Sequence, residues 1–205
     1  MWTSDCNDAL ERQQIQRWTG LLLPPELMGA HVGAPVAHTT GRTHGLDFRA
    51  GTAFFGHMGI EWDLTRATTE ERHRLAQWIA AHKRLRPLLH TGTVVHADHP
   101  DPALLVHGVV TPDLSHAVHA LVQTATSIQA PTGRVRLPGL AKDAHYVVGP
   151  LVPGEVLQGP VTGPLAWWAS GGVELSGRAL DVIGVQAPTL DPERLVLIEA
   201  RRIAR

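Results

Sequence analysis

Thirteen of the 205 residues are histidines, side chains that can bind metal ions or exchange protons near neutral pH. Two pairs, His96 with His99 and His116 with His119, are each three residues apart in segments predicted as strand or loop. In a strand this offset turns the two rings to opposite faces, and no His-Glu-x-x-His pattern or carboxylate-rich loop accompanies them. We therefore predict surface or hydrogen-bonding histidines and no metal site.

The other reactive side chains give weaker signals. Cys6 is the single cysteine, which excludes an intrachain disulfide and a multi-cysteine metal centre. Since no base can be assigned to it, we expect a small packed thiol. Asp5, by its position alone, is typical of a turn or helix-capping aspartate. Trp167 and Trp168 could offer one sugar-stacking face, but neighbouring strand residues point oppositely, so we expect core packing of one of them.

Composition narrows the function classes. With 43% hydrophobic and 18% charged residues and a mean hydropathy of -0.04, the sequence predicts a soluble globular protein. A formal net charge of -1 provides no basic field for phosphates, so we expect no nucleic-acid partner. There is no apolar run of about 18 residues and no leader pattern at the start, so we expect no membrane association and a cytoplasmic location.

The first 91 residues alternate helical and strand patterns. Asp8 with Glu11, and Thr68 with Glu71, have the spacing of capping boxes that open two helices. The first helix should present Leu10, Ile15, Trp18 and Leu22 on one stripe, and Pro87 should end the later helix near residue 86 or force a new turn. The predicted order is helix 9–22, strand 27–32, helix 46–55, strand 57–64 and a helix from 68. This order is typical of βα units.

From residue 92 the pattern changes to short Val-, Leu- and Thr-rich runs separated by Pro, Gly and Asp. Such spacing predicts an antiparallel β-sandwich or barrel. The predicted strands are 93–96, 104–110, 117–126, 134–137, 145–148, 173–176, 180–185 and 195–199, with a long loop from Pro150 to Pro164. We therefore divide the chain into an α/β part, residues 1–91, and an all-β part, residues 92–205.

Several blocks of the first 90 residues, in the same order, resemble the retaining α-galactosidases of glycoside hydrolase family 36. They are Trp2-Thr3-Ser4-Asp5, Asn7-Asp8-Ala9, Glu11-Arg12, Pro24-Pro25-Glu26, Met28-Gly29-Ala30-His31-Val32, His38-Thr39-Thr40-Gly41-Arg42 and the run from Gly56 to Leu64. The remainder resembles that family's C-terminal β-domain only in general layout. The resemblance implies the last part of a (β/α)₈ TIM barrel followed by an antiparallel β-sandwich.

The resemblance also implies site residues and a substrate. By resemblance Asp5 alone would be a catalytic residue, the general acid/base. Trp2 could provide the apolar wall that raises the pKa of such an acid, and His31 or His38, which lie near the expected mouth of the barrel, could line the site. The substrates would be α-1,6-linked galactosides such as melibiose and raffinose, and no cofactor is implied. At the position of Cys6 the family commonly has Asn or Asp.

A complete (β/α)₈ barrel takes about 250 residues, and only two strand–helix units precede the sandwich. If Trp2–Asp5 ends the sixth strand, the earlier strands lie upstream, together with the Lys-Trp-Asp block that carries the family's nucleophile and does not occur in these 205 residues. We therefore expect a C-terminal fragment that is inactive alone, has the N-terminal part of the enzyme as a partner, and can self-associate into a homo-oligomer. The alternative is a non-catalytic β-sandwich module that binds carbohydrate or protein.

Overall fold

The computed structural model describes residues 1–154, 157 and 162–204. The chain forms two compact units, Met1–Thr91 and Gly92–Arg205. Among the described residues no helix is long and apolar enough to cross a bilayer.

The first unit alternates helices and strands. Its elements are α1 (Ala9–Thr19), a 3₁₀ turn (Pro25–Leu27), β1 (Gly29–Gly33), α2 (Leu46–Ala53), β2 (His57–Glu61), a second 3₁₀ turn (Leu64–Arg66) and α3 (Thr69–Thr91). β1 and β2 are parallel, with Gly29 opposite His57 and Gly33 opposite Glu61. Trp2 forms a parallel bridge to Gly29, so the chain start extends this small sheet on the other side of β1.

The two predicted capping boxes differ in the structure. At α3 the box is complete, because Glu71 N donates to Thr68 Oγ1 (3.1 Å) and Thr68 N donates to Glu71 Oε2 (2.9 Å). At α1 the Asp8 side chain caps the helix, whereas the carboxylate of Glu11 accepts from Arg42 (3.3 Å). α1 ends at Thr19, three residues earlier than predicted, with Gly20 at its C-cap.

The apolar stripe predicted for the first helix is not its buried side. Trp18 is 64% exposed and Leu22, beyond the helix end, is 86% exposed, while Arg12 and Gln13 are buried. The polar face turns inward because its groups find partners there: Gln13 Nε2 donates to Thr52 Oγ1 at 2.8 Å. A hydrogen-bonded polar face can be buried at little cost, and here it leaves the apolar stripe in solvent.

The predicted stop or restart of α3 near Pro87 was also wrong, because the helix continues to Thr91. Pro87 is exposed, while Leu88 and Leu89 beyond it are buried. Thr91 Oγ1 donates to the Pro87 carbonyl at 2.7 Å and supports this last turn. The burial of the two leucines therefore outweighs the hydrogen bond that a proline inside a helix removes.

The second unit is built on one large antiparallel sheet. Its elements are β3 (Thr93–Ala97), β4 (Leu104–Val110), β5 (His116–Gln123), β6 (Arg134–Val135), β7 (His145–Leu151), a 3₁₀ turn (Gly163–Leu165), α4 (Ala166–Ala169), β8 (Val173–Ser176), α5 (Gly177–Val182), β9 (Val185–Gln186) and β10 (Arg194–Arg202). Six strands pair in the order β3-β4-β5-β10-β7-β8, and β6 pairs with β9 in a separate two-stranded sheet. This arrangement is consistent with a β-sandwich.

The core of this unit joins the large sheet to the segments beside it. Buried side chains of the sheet, such as Leu121 and Ile198, cluster with Val135 of β6, Val185 of β9 and Leu180 of α5. Both sheets therefore contribute to one hydrophobic core, and the short helix α5 helps to close it.

Two strand predictions in this unit failed. Residues 180–185 form the end of α5 and the start of β9, since Ser176 caps the helix by accepting from Ala179 N (3.2 Å) and Gly184, with φ of 75°, follows it. Trp167 and Trp168 lie on α4, but the expected core packing of one is confirmed: Trp167 is buried and its Nε1 donates to the Gln186 carbonyl (3.1 Å). Part of the loop predicted for residues 150–164 lies outside the described residues.

Candidate functional site

Trp2, His31 and Glu61 meet on one face of the two parallel strands. The Trp2 indole stacks on the His31 ring with centroids 4.8 Å apart and an interplanar angle of 14°. Glycines make room for it, because a Cβ at Gly29 would lie 2.8 Å from Trp2 Cε3. The structure thus brings together two of the predicted site residues, Trp2 and His31, and adds Glu61.

His31 is buried between charged groups. Its Nε2 lies 3.1 Å from Oε2 of Glu61, and Nη1 of Arg12 lies 3.4 Å from the same nitrogen. Burial lowers the pKa of His31, and the charge of Arg12 adds to this, while the charges of Glu61 and Asp5 act in the opposite direction. In its neutral form, with the proton on Nε2, the ring donates to Glu61.

Asp5 lies in a bend between the Trp2 segment and α1, and its side chain is exposed. Within the part of the chain that the structure describes, no hydrogen bond or ion pair engages its carboxylate. It lies close enough to His31 for its charge to affect the pKa of that ring. Asp5 is therefore a solvent-facing carboxylate beside the Trp2–His31 stack.

Arg12 on α1 holds the backbone on both sides of Asp5. Its buried Nη1 donates to the Ser4 carbonyl (3.1 Å) and to the Cys6 carbonyl (2.8 Å), the residues on either side of Asp5. Burial lowers the pKa of Arg12, and the charges of Cys6 and Glu61 oppose that effect. Sequence reasoning missed this role, although an arginine one turn after a helix cap, within reach of the preceding backbone, could have suggested it.

Asp8 is the most heavily hydrogen-bonded carboxylate of this region and is fully buried. Besides capping α1, it accepts from Thr40 Oγ1, from Arg42 Nη1 (3.0 Å) and from His44 Nε2 (3.1 Å). Burial alone would raise its pKa, but the hydrogen bonds from Thr40, from the Glu11 backbone, from His44 and from Arg42 lower it to about 2. Asp8 therefore stays ionised and ties the start of α1 to the loop that follows β1.

His38 belongs to the same loop, and its side chain is exposed. The buried side chain of Asn7 holds it in both directions: Asn7 Nδ2 lies 2.6 Å from His38 Nδ1, and the His38 backbone N–H donates to Asn7 Oδ1 (3.1 Å). The amide donor must meet a lone pair on Nδ1, so a neutral His38 carries its proton on Nε2. His38 thus presents an N–H donor away from Asn7.

Arg49 fixes the far side of this loop. It is buried, donates from Nη1 to the Gly33 carbonyl (2.6 Å) and from Nε to the His44 carbonyl (3.1 Å), and lies 4.7 Å from the centre of the Trp62 ring. Burial lowers the pKa of Arg49 to about 10, against the opposing charge of Glu71. The end of β1 and the loop after it are therefore held by a cation from α2.

Three of the four paired histidines in the second unit, His99, His116 and His119, contact protein groups. His116 Nε2 lies 2.7 Å from Glu199 Oε1, and the fully buried His119 contacts the Pro138 carbonyl through Nε2 (3.1 Å). His99 Nδ1 accepts from the Asp101 backbone (3.1 Å). The described residues include no group of three or more His, Cys, Asp or Glu side chains arranged to hold a metal ion.

Comparison with known families gives this geometry a context. The Melibiase family model matches residues 1–92, and the model of the glycosyl hydrolase family 36 C-terminal domain matches residues 105–194. The chain belongs to glycoside hydrolase family 36. The first match covers the first compact unit, and the second match lies within the second compact unit.

Individual α-galactosidases are also similar to this chain. The chain is 40% identical over 205 residues to an α-galactosidase of Escherichia coli, covering 98% of this chain and 29% of that protein. The galactosidase domain of the α-galactosidase–sucrose kinase AgaSK superposes with a TM-score of 0.82 at 27% identity, covering 98% and 25% of the two chains. A double variant of the family 36 α-galactosidase AgaA of Geobacillus stearothermophilus, in complex with raffinose, superposes with a TM-score of 0.80 at 27% identity, covering 96% of this chain and 25% of that chain. The chain thus spans less than a third of the length of these relatives.

Proposed function

We propose that this chain supplies the acid/base part of a retaining α-galactosidase site, with Met1–Thr91 as the closing portion of a (β/α)₈ barrel. The observation that carries the proposal is the exposed carboxylate of Asp5, at the end of the segment that bridges to β1 in parallel. Active sites of such barrels lie at the carboxyl ends of the strands. Membership of family 36 supports the same reading.

In this mechanism Asp5 acts twice. As an acid it protonates the glycosidic oxygen while a second carboxylate attacks the anomeric carbon, and as a base it then takes a proton from the water that releases the sugar. The two carboxyl groups must lie about 5–5.5 Å apart. Asp5 suits the first step because its side chain faces solvent, where a leaving group can reach it.

The neighbours of Asp5 would shape the site. Trp2 is 47% exposed, and the part of its indole that is not stacked on His31 offers an apolar wall. His38 would donate its Nε2 proton to a sugar hydroxyl. His31 is buried, so we propose that it supports the Trp2 ring by stacking and interacts electrostatically with Asp5. This role is less direct than the site-lining role expected from the sequence.

The proposed substrates are α-1,6-linked galactosides such as melibiose and raffinose. Solved complexes of AgaA with raffinose and with stachyose support this substrate class. The Lys-Trp-Asp block that carries the nucleophile by resemblance does not occur in the 205 residues, and a double displacement needs both carboxylates. We therefore propose that these residues alone do not turn over galactosides, and that the complementary part of the enzyme restores activity.

The test uses the chain co-expressed with the part of the E. coli α-galactosidase that it does not cover. General acid help is typically worth about 10²–10⁴ in rate, and it matters for a sugar leaving group far more than for an activated phenolate. Asp5→Ala should therefore abolish raffinose cleavage while galactosyl transfer from an aryl galactoside persists, with azide rescuing the second step and giving a galactosyl azide of retained configuration. Asp63→Ala, which removes another exposed carboxylate of the same unit, is the control.

Equal losses on both substrates without azide rescue would show that Asp5 is not the acid/base. Turnover of an aryl galactoside by the purified 205-residue chain, abolished by Asp5→Asn, would overturn the proposal that the chain is inactive alone.

A further inference from the structure

The position of Asp5 depends on the backbone around it. Within residues 1–154, 157 and 162–204 no side chain binds its carboxylate, so the bend from Ser4 to Asp8 alone decides where it points. A proton donor works only within hydrogen-bond reach of the atom that it protonates, about 2.6–3.2 Å. The contacts that hold this bend therefore determine whether the Asp5 carboxylate can reach the atom that it protonates.

Asp8 fixes the end of the bend with its two carboxylate oxygens. Oδ1 accepts from the backbone N–H groups of Leu10 (2.9 Å) and Glu11 (3.2 Å), which is all that capping α1 requires. Oδ2 accepts from Thr40 Oγ1 and from Arg42 Nη1 (3.0 Å), both in the loop after β1. Oδ1 is also 3.1 Å from Nε2 of His44, at the end of the same loop. Both oxygens therefore bind the loop, and Oδ1 caps the helix as well.

The two residues between Asp5 and Asp8 contact the same loop. Cys6 Sγ lies 3.7 Å from Thr39 Oγ1. Asn7 binds His38 through its side-chain amide, at 2.6 Å from the ring and 3.1 Å from the backbone nitrogen. Cys6, Asn7 and Asp8 thus meet Thr39, His38 and Thr40 respectively, so the bend and residues 38–44 are fastened along their length.

We propose that Asp8 is a positioning residue for Asp5, and that its bonds to Thr40 and Arg42 hold the bend 4–8 and the loop 38–44 as one body. The inference rests on the proposed function only in taking Asp5 as the acid/base. The fastening itself is a property of the chain and can be tested without activity.

The first experiment measures the fastening in the 205-residue chain. Cys6 is the single thiol and lies inside the bend, so its rate of alkylation by iodoacetamide reports on how firmly the bend is held. Thr40→Val removes the hydroxyl donor to Oδ2 and leaves the Oδ1 cap intact. Hydrogen bonds to charged groups are strong enough that we expect alkylation to accelerate about 10-fold or more.

The control is Asp47→Asn. Asp47 binds Arg74 (2.9 Å) and Trp78 (2.6 Å) in the same unit, and within the described part of the chain no hydrogen bond joins it to the bend. This variant therefore loses charged hydrogen bonds without releasing Cys6. If Thr40→Val and the unaltered chain were alkylated at the same rate, the Thr40–Asp8 bond would not hold the bend. The same conclusion would follow if Asp47→Asn accelerated alkylation as much as Thr40→Val.

The second experiment measures the consequence in the reconstituted enzyme. Asp8→Asn and Thr40→Val should each lower kcat for raffinose about 10- to 100-fold, with little change in KM and little change in galactosyl transfer from an aryl galactoside. If Asp8 and Thr40 only stabilised the fold, the rates on raffinose and on the aryl galactoside would both fall in proportion to the folded fraction. That result would overturn the positioning role. If Asp5→Ala itself affects both substrates equally, the proposed function fails, while the alkylation rates still decide whether Asp8 holds the bend.

Discussion

The Nε2 atom of His31 on β1 lies 3.1 Å from Oε2 of Glu61 at the end of β2, so a buried imidazole and a half-exposed carboxylate join the two parallel strands. This contact gives the strand pair a link besides its backbone ladder. It also brings a titratable ring and a carboxylate next to the Trp2 indole.

We expect Glu61→Gln to lower the pKa of His31 further, because the mutation removes a negative charge that favours the imidazolium. Titration of the ring protons by NMR measures this. Asp63→Asn, which neutralises an exposed carboxylate two residues later, should leave the His31 pKa where it is. An unchanged pKa in Glu61→Gln would mean that the carboxylate does not act on the ring in solution.

The exposed apolar side chains of Trp18 on α1 and of Leu22 just beyond it should make the 205-residue chain self-associate. Trp18 and Leu22 are 64% and 86% exposed, and exposed apolar surface favours association. Leu22→Glu should lower the average mass measured by light scattering at tens of micromolar. Gln14→Glu adds the same charge to an exposed polar position of α1 and serves as the control. If both variants behave as the unaltered chain, or the chain is already monomeric, these side chains do not drive association.

His119 should make the second unit sensitive to acid. Burial lowers its folded-state pKa to about 4, against the partly compensating bond to the Pro138 carbonyl, whereas an unfolded histidine titrates near 6.5. The unfolded chain therefore binds more protons between these values, so the stabilisation is complete above about pH 6.5 and is lost as the pH falls toward 4.

The size of this effect follows from the pKa shift of His119 and is about 3 kcal/mol, since each pKa unit corresponds to 1.36 kcal/mol. His119→Gln should flatten the dependence of the free energy of unfolding on pH in this range, measured by urea denaturation. His145→Gln, at a partly exposed histidine of the same sheet, should keep the slope. An unchanged slope in His119→Gln would exclude His119 as its source.

Gly184 should tolerate no side chain. Its φ is 75°, and a Cβ there would lie 2.0 Å from the Val135 carbonyl oxygen on β6. Gly171 has a similar φ of 83° with nothing within 4 Å of its Cβ position, so Gly171→Ala should cost only the left-handed strain of about 1 kcal/mol. Gly184→Ala should cost several kcal/mol more or prevent folding. Equal urea midpoints for the two variants would contradict the clash.

Local sequence signals determined much of the first unit. The Thr68–Glu71 capping box, the strand signals around residues 29–33 and 57–61 and the parallel strand–helix alternation follow from spacing that acts within a few residues. In the second unit, β4 and β8 have the predicted bounds because turn residues flank each run. The family, too, could be inferred from the order of short blocks in the first 90 residues.

Only the tertiary structure decided which groups face inward. Periodicity grouped Trp18 and Leu22 on one apolar stripe of the first helix. It could not show that Gln13 on the polar face would be buried, because that depends on Thr52, which accepts from Gln13 Nε2 in the folded chain. The run 180–185 could be a strand by its composition, but the cap at Ser176 and the close approach of Gly184 to β6 make it a helix end.

Some residues of the candidate site could be inferred from the sequence, and others only from the tertiary structure. Asp5, Trp2, His31 and His38 could be named from the sequence. The roles of Asp8, Glu61 and Arg49 come from Arg42, His31 and Gly33, which are 16 or more residues away along the chain. Arg12 binds the nearby carbonyls of Ser4 and Cys6. Asp8 read along the chain is a helix cap, a role that needs one oxygen. Its second oxygen meets Thr40 and Arg42, which folding alone brings near, because the strength of a hydrogen bond depends on distance in space and not on separation in sequence.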